Sequence, residues 1–304
     1  MTTLTVVTFA VAPRQVKQRE RDLANRDELY ALAERYLQAL AARDAGAVPF
    51  AESAFVTENN VVLARGDGCW NTVTAVHPYR LFMAEPDAGQ VAVFSAIEES
   101  DALNPICVRL EVAGGQITGV ETVVARNKDE GFPFGPQHYV DKPEMSLPVK
   151  PAPREELVRI ANGYFETIER NDGTIRTVFH PDCNRVENGV QTTNNADFPL
   201  PIAKLGCEAQ FALGWYRYDD DLRARRFPLV DVEQGLVLAY GFIDHSGRLG
   251  DYHLTDGTPA RSPVRRPHSY YLAEAFKIVD GAIRQVEADF LTVPYRMPSP
   301  WDMR

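Results

Sequence analysis

The chain repeats itself. Arg26, Asp27, Glu28 and Leu29 recur 128 residues later as Arg154, Glu155, Glu156 and Leu157. The register persists through Ala33 and Ala161, Tyr36 and Tyr164, Leu40 and Ile168, and Asp44 and Asp172. After one inserted residue, Glu58-Asn59 meets Glu187-Asn188 at an offset of 129, and Gly115, Ile117, Val120 and Glu121 meet Gly281, Ile283, Val286 and Glu287 at 166. A repeat of this size means two copies of one folding unit. The second copy carries roughly 37 extra residues, most between Ala196 and Pro267, a length of insertion that is usually functional or irregular.

Each copy opens on an amphipathic helix. Leu29, Leu32, Ala33, Tyr36, Leu37 and Leu40 recur at helical spacing, as do Leu157, Ile160, Ala161, Tyr164, Phe165 and Ile168. Later segments alternate: Val108, Leu110 and Val112 share one face, and Gly114-Gly115 turns the chain into Ile117, Gly119, Glu121 and Val123. Asp280-Gly281 makes the same turn between Phe276, Ile278 and Ile283, Val286. Helix first and curved antiparallel sheet last is an α+β plan. The expected organisation is a first domain over 1–130, a proline-rich linker over 131–153 and a second domain over 154–304.

A net charge of −10 repels phosphate backbones, so nucleic acid is not an expected partner. Arg223, Arg225 and Arg226 follow Asp219, Asp220 and Asp221 and read as a mixed surface loop. The apolar run from Leu4 to Ala12 is too short and polar to suit a signal or membrane segment. Cys69, Cys107, Cys183 and Cys207 include no C-x-x-C pair and read as reduced, buried thiols of a cytoplasmic protein. Asp244, His245, Asp251 and His253 form a weak approach to a metal site, and no metal or other cofactor is expected.

The succession Thr57-Glu58-Asn59, Gly66-Asp67-Gly68-Cys69-Trp70-Asn71-Thr72, Tyr79-Arg80-Leu81, Arg109-Leu110-Glu111 and Ile117-Thr118-Gly119-Val120-Glu121-Thr122 resembles a family of SnoaL-like, nuclear transport factor 2-like (NTF2-like) domains of fungi and bacteria. The second copy resembles it through Glu187-Asn188-Gly189 and the stretch Glu274–Ile283, ending in Val293-Pro294-Tyr295 and Trp301. The resemblance implies two tandem cones, each a long helix across a bent sheet around an apolar pocket. Relatives in the superfamily include ketosteroid isomerases, dehydratases, polyketide cyclases and non-catalytic binding modules. No position here matches the catalytic motif of any one of those enzymes, and fold alone does not choose among them.

Cofactor-free proton transfer in such a pocket needs a carboxylate or imidazole tuned by burial, with a donor for the developing oxyanion. Residues present in one copy only discriminate best, because a shared structural need would appear twice. The candidates for acid and base roles are His180, Glu187, His268, Glu274 and Glu287. Glu287 is expected to share the inward face of Ile283 and to lie across a hairpin from Glu274, while His268, Tyr270, Leu272 and Glu274 share one strand face. Glu121 and Glu287, being equivalent, also admit a purely structural reading. Asn188, Thr193, Asn195, Tyr164 and Tyr270 are candidates for contacting substrate. His138, His245 and His253 read as solvated loop histidines, and Phe211, Trp215, Tyr216 and Tyr218 as core or interface aromatics. The expected activity is that of a lyase, dehydratase or isomerase on a small, partly hydrophobic, oxygenated substrate, the alternative being a binding module. Association of two chains is left open.

Overall fold

The computed structural model describes residues 24–126 and 134–303; the Leu4–Ala12 run lies outside them, as does the side chain of His138. The first copy runs α1 (Arg26–Ala42), β1 (Phe50–Glu58), β2 (Val61–Leu63), β3 (Val73–Val76), β4 (Leu81–Glu85), β5 (Gln90–Glu99), β6 (Ala102–Ala113) and β7 (Gln116–Val124). The second runs α2 (Arg154–Arg170), β8 (Phe179–Glu187), β9 (Val190–Gln191), α3 (Cys207–Ala212), β10 (Asp221–Asp231), β11 (Leu236–His245), β12 (Asp251–His253), β13 (Pro259–Arg261), β14 (His268–Val279) and β15 (Ala282–Val293). The architecture is mixed α+β, mostly sheet, with two curved sheets and few helices.

Local chemistry fixes the helix ends. Asn25 caps α1 by accepting from the amide of Glu28, whose carboxylate accepts from Asn25 in return. Asn171 ends α2 in the left-handed region, where Asn is tolerated. Both helices sit where the apolar periodicity places them.

The first sheet has the order β2-β1-β7-β6-β5-β3, with β4 also on β5, and the second β10-β11-β14-β15-β8-β9. The expectation of purely antiparallel sheets needs correcting: β1 runs parallel to β7, and β8 to β15. Each parallel pair follows from the helix-first plan, since the strand after the helix returns beside the last strand of its copy.

α1 packs on one face of the first sheet and α2 on one face of the second. The opposite faces meet in a shared core, with Met83, Phe94 and Cys107 from one side against Leu238, Tyr240 and Tyr271 from the other. The order of layers is helix, sheet, sheet, helix. Burying each such large apolar side chain contributes about 1.5–3 kcal/mol. The described part of the proline-rich segment is no free spacer. It sends Tyr139 and Met145 into the shared core, and Lys277 donates to the carbonyl of Leu147 at 2.6 Å.

Arg223, Arg225 and Arg226 correct another expectation. They lie on β10 rather than in a surface loop, pairing with Asp244, Glu169 and Glu121 at 2.7, 2.5 and 2.5 Å. Among the described residues no helix is long and apolar enough to cross a membrane.

Candidate active site

Between α2, α3 and the second sheet lies a cavity of about 750 Å³, lined by Tyr164, Arg185, Glu187, Phe211, Trp215, Tyr216, Tyr218, Asp219, His268, Tyr270 and Glu274 among others. The four aromatics from Phe211 to Tyr218 therefore wall a pocket, and Phe211 also belongs to the buried core, as expected, with Tyr216 packed against it. The long insertion supplies this wall, and the Arg261–Arg266 stretch supplies the rim.

Three adjacent strands build one end of the cavity. Ala288 of β15 is flanked in register by Glu274 of β14 and Glu187 of β8, so the two carboxyl-bearing residues stand about 10 Å apart at Cα across a small side chain. Glu274 is buried to 4% exposure. Burial pushes its carboxyl up to about 8; the nearby Glu187 charge adds to this, and Arg185 and a hydrogen bond with Tyr164 oppose it. Glu187 is held by Arg185 at 3.2 Å and by the Thr192 hydroxyl at 2.5 Å.

Arg185 is enclosed and fully engaged. It donates to Thr192, Tyr164, Gln210 and Tyr216 at 3.2, 3.4, 2.7 and 2.5 Å. Sequence reasoning missed it. The signal was available in the repeat: 129 residues earlier the first copy has Val56, and 166 before Glu274 it has Val108, both in an apolar core. Tyr36, the counterpart of Tyr164, accepts from Trp70 at 3.2 Å inside that core. The polar group Arg185–Glu274 belongs to the second copy alone.

At the other end of β14, six residues and about 20 Å from Glu274, His268 stacks on His245 with ring centroids 4.6 Å apart. The Nδ1 of His268 lies 3.0 Å from the carbonyl oxygen of Arg266, which fixes the proton on Nδ1 and leaves the Nε2 lone pair available. Burial lowers the pKa of this imidazole and the neighbouring His245 lowers it further. His245 is not a solvated loop histidine. It is 1% exposed and its Nε2 meets Asp219 Oδ1 at 2.9 Å. Burial raises the Asp219 carboxyl, and the contact with His245 opposes the rise. The acidic run containing Asp219 gave no sign of this role.

Five of the remaining candidates lie elsewhere. Glu287 faces the shared core: against β14, β15 carries a bulge between Ile283 and Gln285 that shifts parity, so Ile283, Val286, Ala288 and Phe290 face α2 while Glu287 turns away. Its cross-strand partner is Ala275, not Glu274, and it is held by Tyr79 and by Lys142 at 2.8 Å. His180 is half-exposed on β8, accepting from the amide of Asp182. Asn188 closes onto the backbone of Phe290, donating at 3.1 Å and accepting at 3.0 Å, as Asn59 does with Val124 in the first copy. Thr193 accepts from the amide of Arg185 at 2.8 Å, so it supports the site from behind. Asn195 lines a separate groove of about 570 Å³ and donates to the carbonyl of Gln191. Tyr164 and Tyr270 line the main cavity.

Asp244, His245, Asp251 and His253 are dispersed. Asp244 takes Arg223 and Ser269, and Asp251 takes Arg261. Among the described residues no three His, Cys, Asp or Glu side chains converge as metal ligands.

Part of the chain is similar to several solved structures. A de novo designed protein with a curved β-sheet matches at 15% identity and TM-score 0.29, covering 33% of this chain and 88% of its own. A proposed polyketide cyclase from Xanthomonas campestris matches at 15% identity and TM-score 0.27, covering 33% and 92%. A proposed hydroxylase, AclR from Streptomyces galilaeus, matches at 15% and 0.29, covering 45% and 90%. No curated protein sequence matches. A family profile described as a domain of unknown function, DUF8021, matches residues 22–124 and again 150–290, so both copies are accounted for and the chain belongs to that family.

Proposed function

We propose that the protein is a cofactor-independent lyase, dehydratase or isomerase of tandem NTF2-like cones, acting in the second cone on a small, partly hydrophobic, oxygenated substrate. The observation that carries this reading is Glu274: a carboxyl enclosed with Tyr164 beside an aromatic cavity, raised to about 8, at a position where the first copy has valine. A carboxylic acid neutral at pH 7 donates a hydrogen bond where a carboxylate cannot.

In this reading Glu274, with Tyr164, donates to the substrate oxygen. Glu187, oriented by Arg185 and Thr192, takes the proton from the carbon next to the polarised carbonyl. The electron pair moves onto the oxygen as Glu274 passes its proton there, giving an enol; on collapse Glu274 takes that proton back, and the proton held by Glu187 leaves with a β-hydroxyl as water or returns to another carbon. His268, about 20 Å from Glu274, binds the outer polar end of the substrate rather than the reacting carbon. His180, Glu287, Asn188, Thr193 and Asn195 have no direct role in this scheme.

The test is thermal stabilisation and turnover over a panel of hydroxylated aromatic, ketosteroid-like and polyketide-like compounds, comparing wild type with Glu274→Gln. A compound that stabilises both proteins and is consumed only by wild type supports the assignment. Binding with no turnover by either protein replaces the enzyme with a binding module, and equal turnover by both removes Glu274 from the chemistry.

A further inference from the structure

Two thiols of the second copy stand apart from this chemistry. Cys183 lies on β8 and Cys207 opens α3, and their Sγ atoms are 3.0 Å apart. Both are free and buried. A disulfide needs about 2.05 Å, so closing the pair takes a shift of about 1 Å, within the reach of side-chain rotation. We propose that Cys183 and Cys207 are an oxidisable pair that a peroxide closes to a disulfide, stapling α3 to β8.

The step balances with hydrogen peroxide as oxidant. The Cys207 thiolate attacks one peroxide oxygen and becomes a sulfenic acid as hydroxide leaves. The Cys183 sulfur then displaces the sulfenic hydroxyl. The two thiols and one peroxide give one disulfide and two waters. Cys207 is the sulfur that reacts first. Burial opposes its ionisation, but the Cys183 thiol donating to it and the Arg185 guanidinium outweigh burial and hold it below the ordinary thiol value. Cys69 and Cys107 serve as internal controls, since burial holds both thiols well above the ordinary value.

The staple bears on the pocket wall. α3 carries Phe211, which lines the cavity, and Gln210, which accepts from Arg185 at 2.7 Å and donates to the carbonyl of Thr192 at 2.7 Å. Fixing Cys207 to β8 therefore fixes the partner that orients Arg185. The proposal is independent of what the pocket does.

The experiment treats the full chain with one equivalent of hydrogen peroxide, unfolds it in an alkylating reagent and maps the peptides by mass. The expected result is a loss of two alkylatable thiols, a cross-linked peptide pair containing Cys183 and Cys207 that dithiothreitol resolves, and a melting temperature several degrees above the reduced protein, as closing a loop of this length gives. In Cys183→Ala the cross-link is absent and Cys207 carries oxygen instead. Four alkylated thiols after peroxide, oxidation of Cys207 to the sulfinic acid in wild type without a cross-link, or a cross-link to Cys69 or Cys107 would each overturn the proposal. Because peptide mapping of the wild type decides the matter, a variant that fails to fold leaves the test intact.

Discussion

The phenol of Tyr79, in the first copy, shares its proton between the two carboxylate oxygens of Glu287, in the second, at 2.8 and 2.9 Å. The repeat equivalent of Glu287 is Glu121, which receives Tyr271 at 2.6 Å and Arg226 at 2.5 Å from the second copy, with Arg109 of its own copy at 2.9 Å. Each copy thus offers a buried carboxylate that the other copy satisfies. The pair of glutamates fastens the two sheets together, and the symmetry visible in the sequence is the symmetry of that contact.

Replacing Glu287 with Gln should therefore cost stability rather than chemistry. The variant leaves the Lys142 ammonium, 11% exposed at its side chain, without its anion. Removing one partner of such a buried pair costs about 3–5 kcal/mol. Urea unfolding should show that loss while ligand binding per folded molecule stays at the wild-type level. A Glu287→Gln protein of normal stability that has lost turnover would return the residue to the reaction.

Asn59 and Asn188 make the same prediction twice over. Both have positive φ, at 49° and 46°, and both hold the backbone of the last strand of their copy through the side-chain amide. Asn59→Ala and Asn188→Ala should each cost about 1–3 kcal/mol for the unpaired backbone groups, with more from the strained φ. Chemical denaturation of the two variants side by side checks this. A large effect of Asn188→Ala on ligand affinity, with none on stability, would restore it to the substrate-contacting set.

The halves, their opening helices and their closing hairpins were legible because apolar periodicity and glycine turns recur at fixed offsets. Which way Glu287 points was not, since alternation is read from an uninterrupted strand and the bulge after Ile283 adds one residue to the count. His245 was misread because Ser246 and Gly247 after it look like loop, yet it ends β11 and pairs across the sheet with His268. Arg185 was readable only by setting the copies side by side, where Val56 stands at its position, and Asp219 meets His245 of β11 with no local pattern to announce it. Glu274 and His268 were legible for a simpler reason: they sit on one face of an unbulged stretch of β14 and have no counterpart in the first copy.

The pH dependence of stability follows from Glu274. Its carboxyl rises from the ordinary 4.5 to about 8 on folding. Between those values the folded chain binds more protons than the unfolded one, so the unfolding free energy falls as pH rises. The stabilising contribution is complete below pH 4.5 and is lost as pH climbs through about 8. Glu274→Gln, neutral at every pH, should flatten this slope and be more stable than wild type above pH 8 by a few kcal/mol. Melting curves of both proteins from pH 5 to 9 test it. Parallel curves would mean that the carboxyl is not raised.

The two ends of the cavity should separate in kinetics on any compound that is turned over. His268 stands about 20 Å from Glu274 along β14, too far for both to touch one reacting carbon. Its neutral ring presents Nε2 as an acceptor, so it engages substrate and transition state alike. His268→Ala should raise KM about tenfold and leave kcat nearly unchanged, the mark of an interaction made equally in both states. Glu274→Gln keeps the hydrogen-bond donor but removes the transferable proton. It should lower kcat by about 100-fold or more, with KM little changed. The opposite pattern, kcat falling in His268→Ala and KM rising in Glu274→Gln, would move the chemistry to the His268–His245–Asp219 end and make Glu274 the residue that binds.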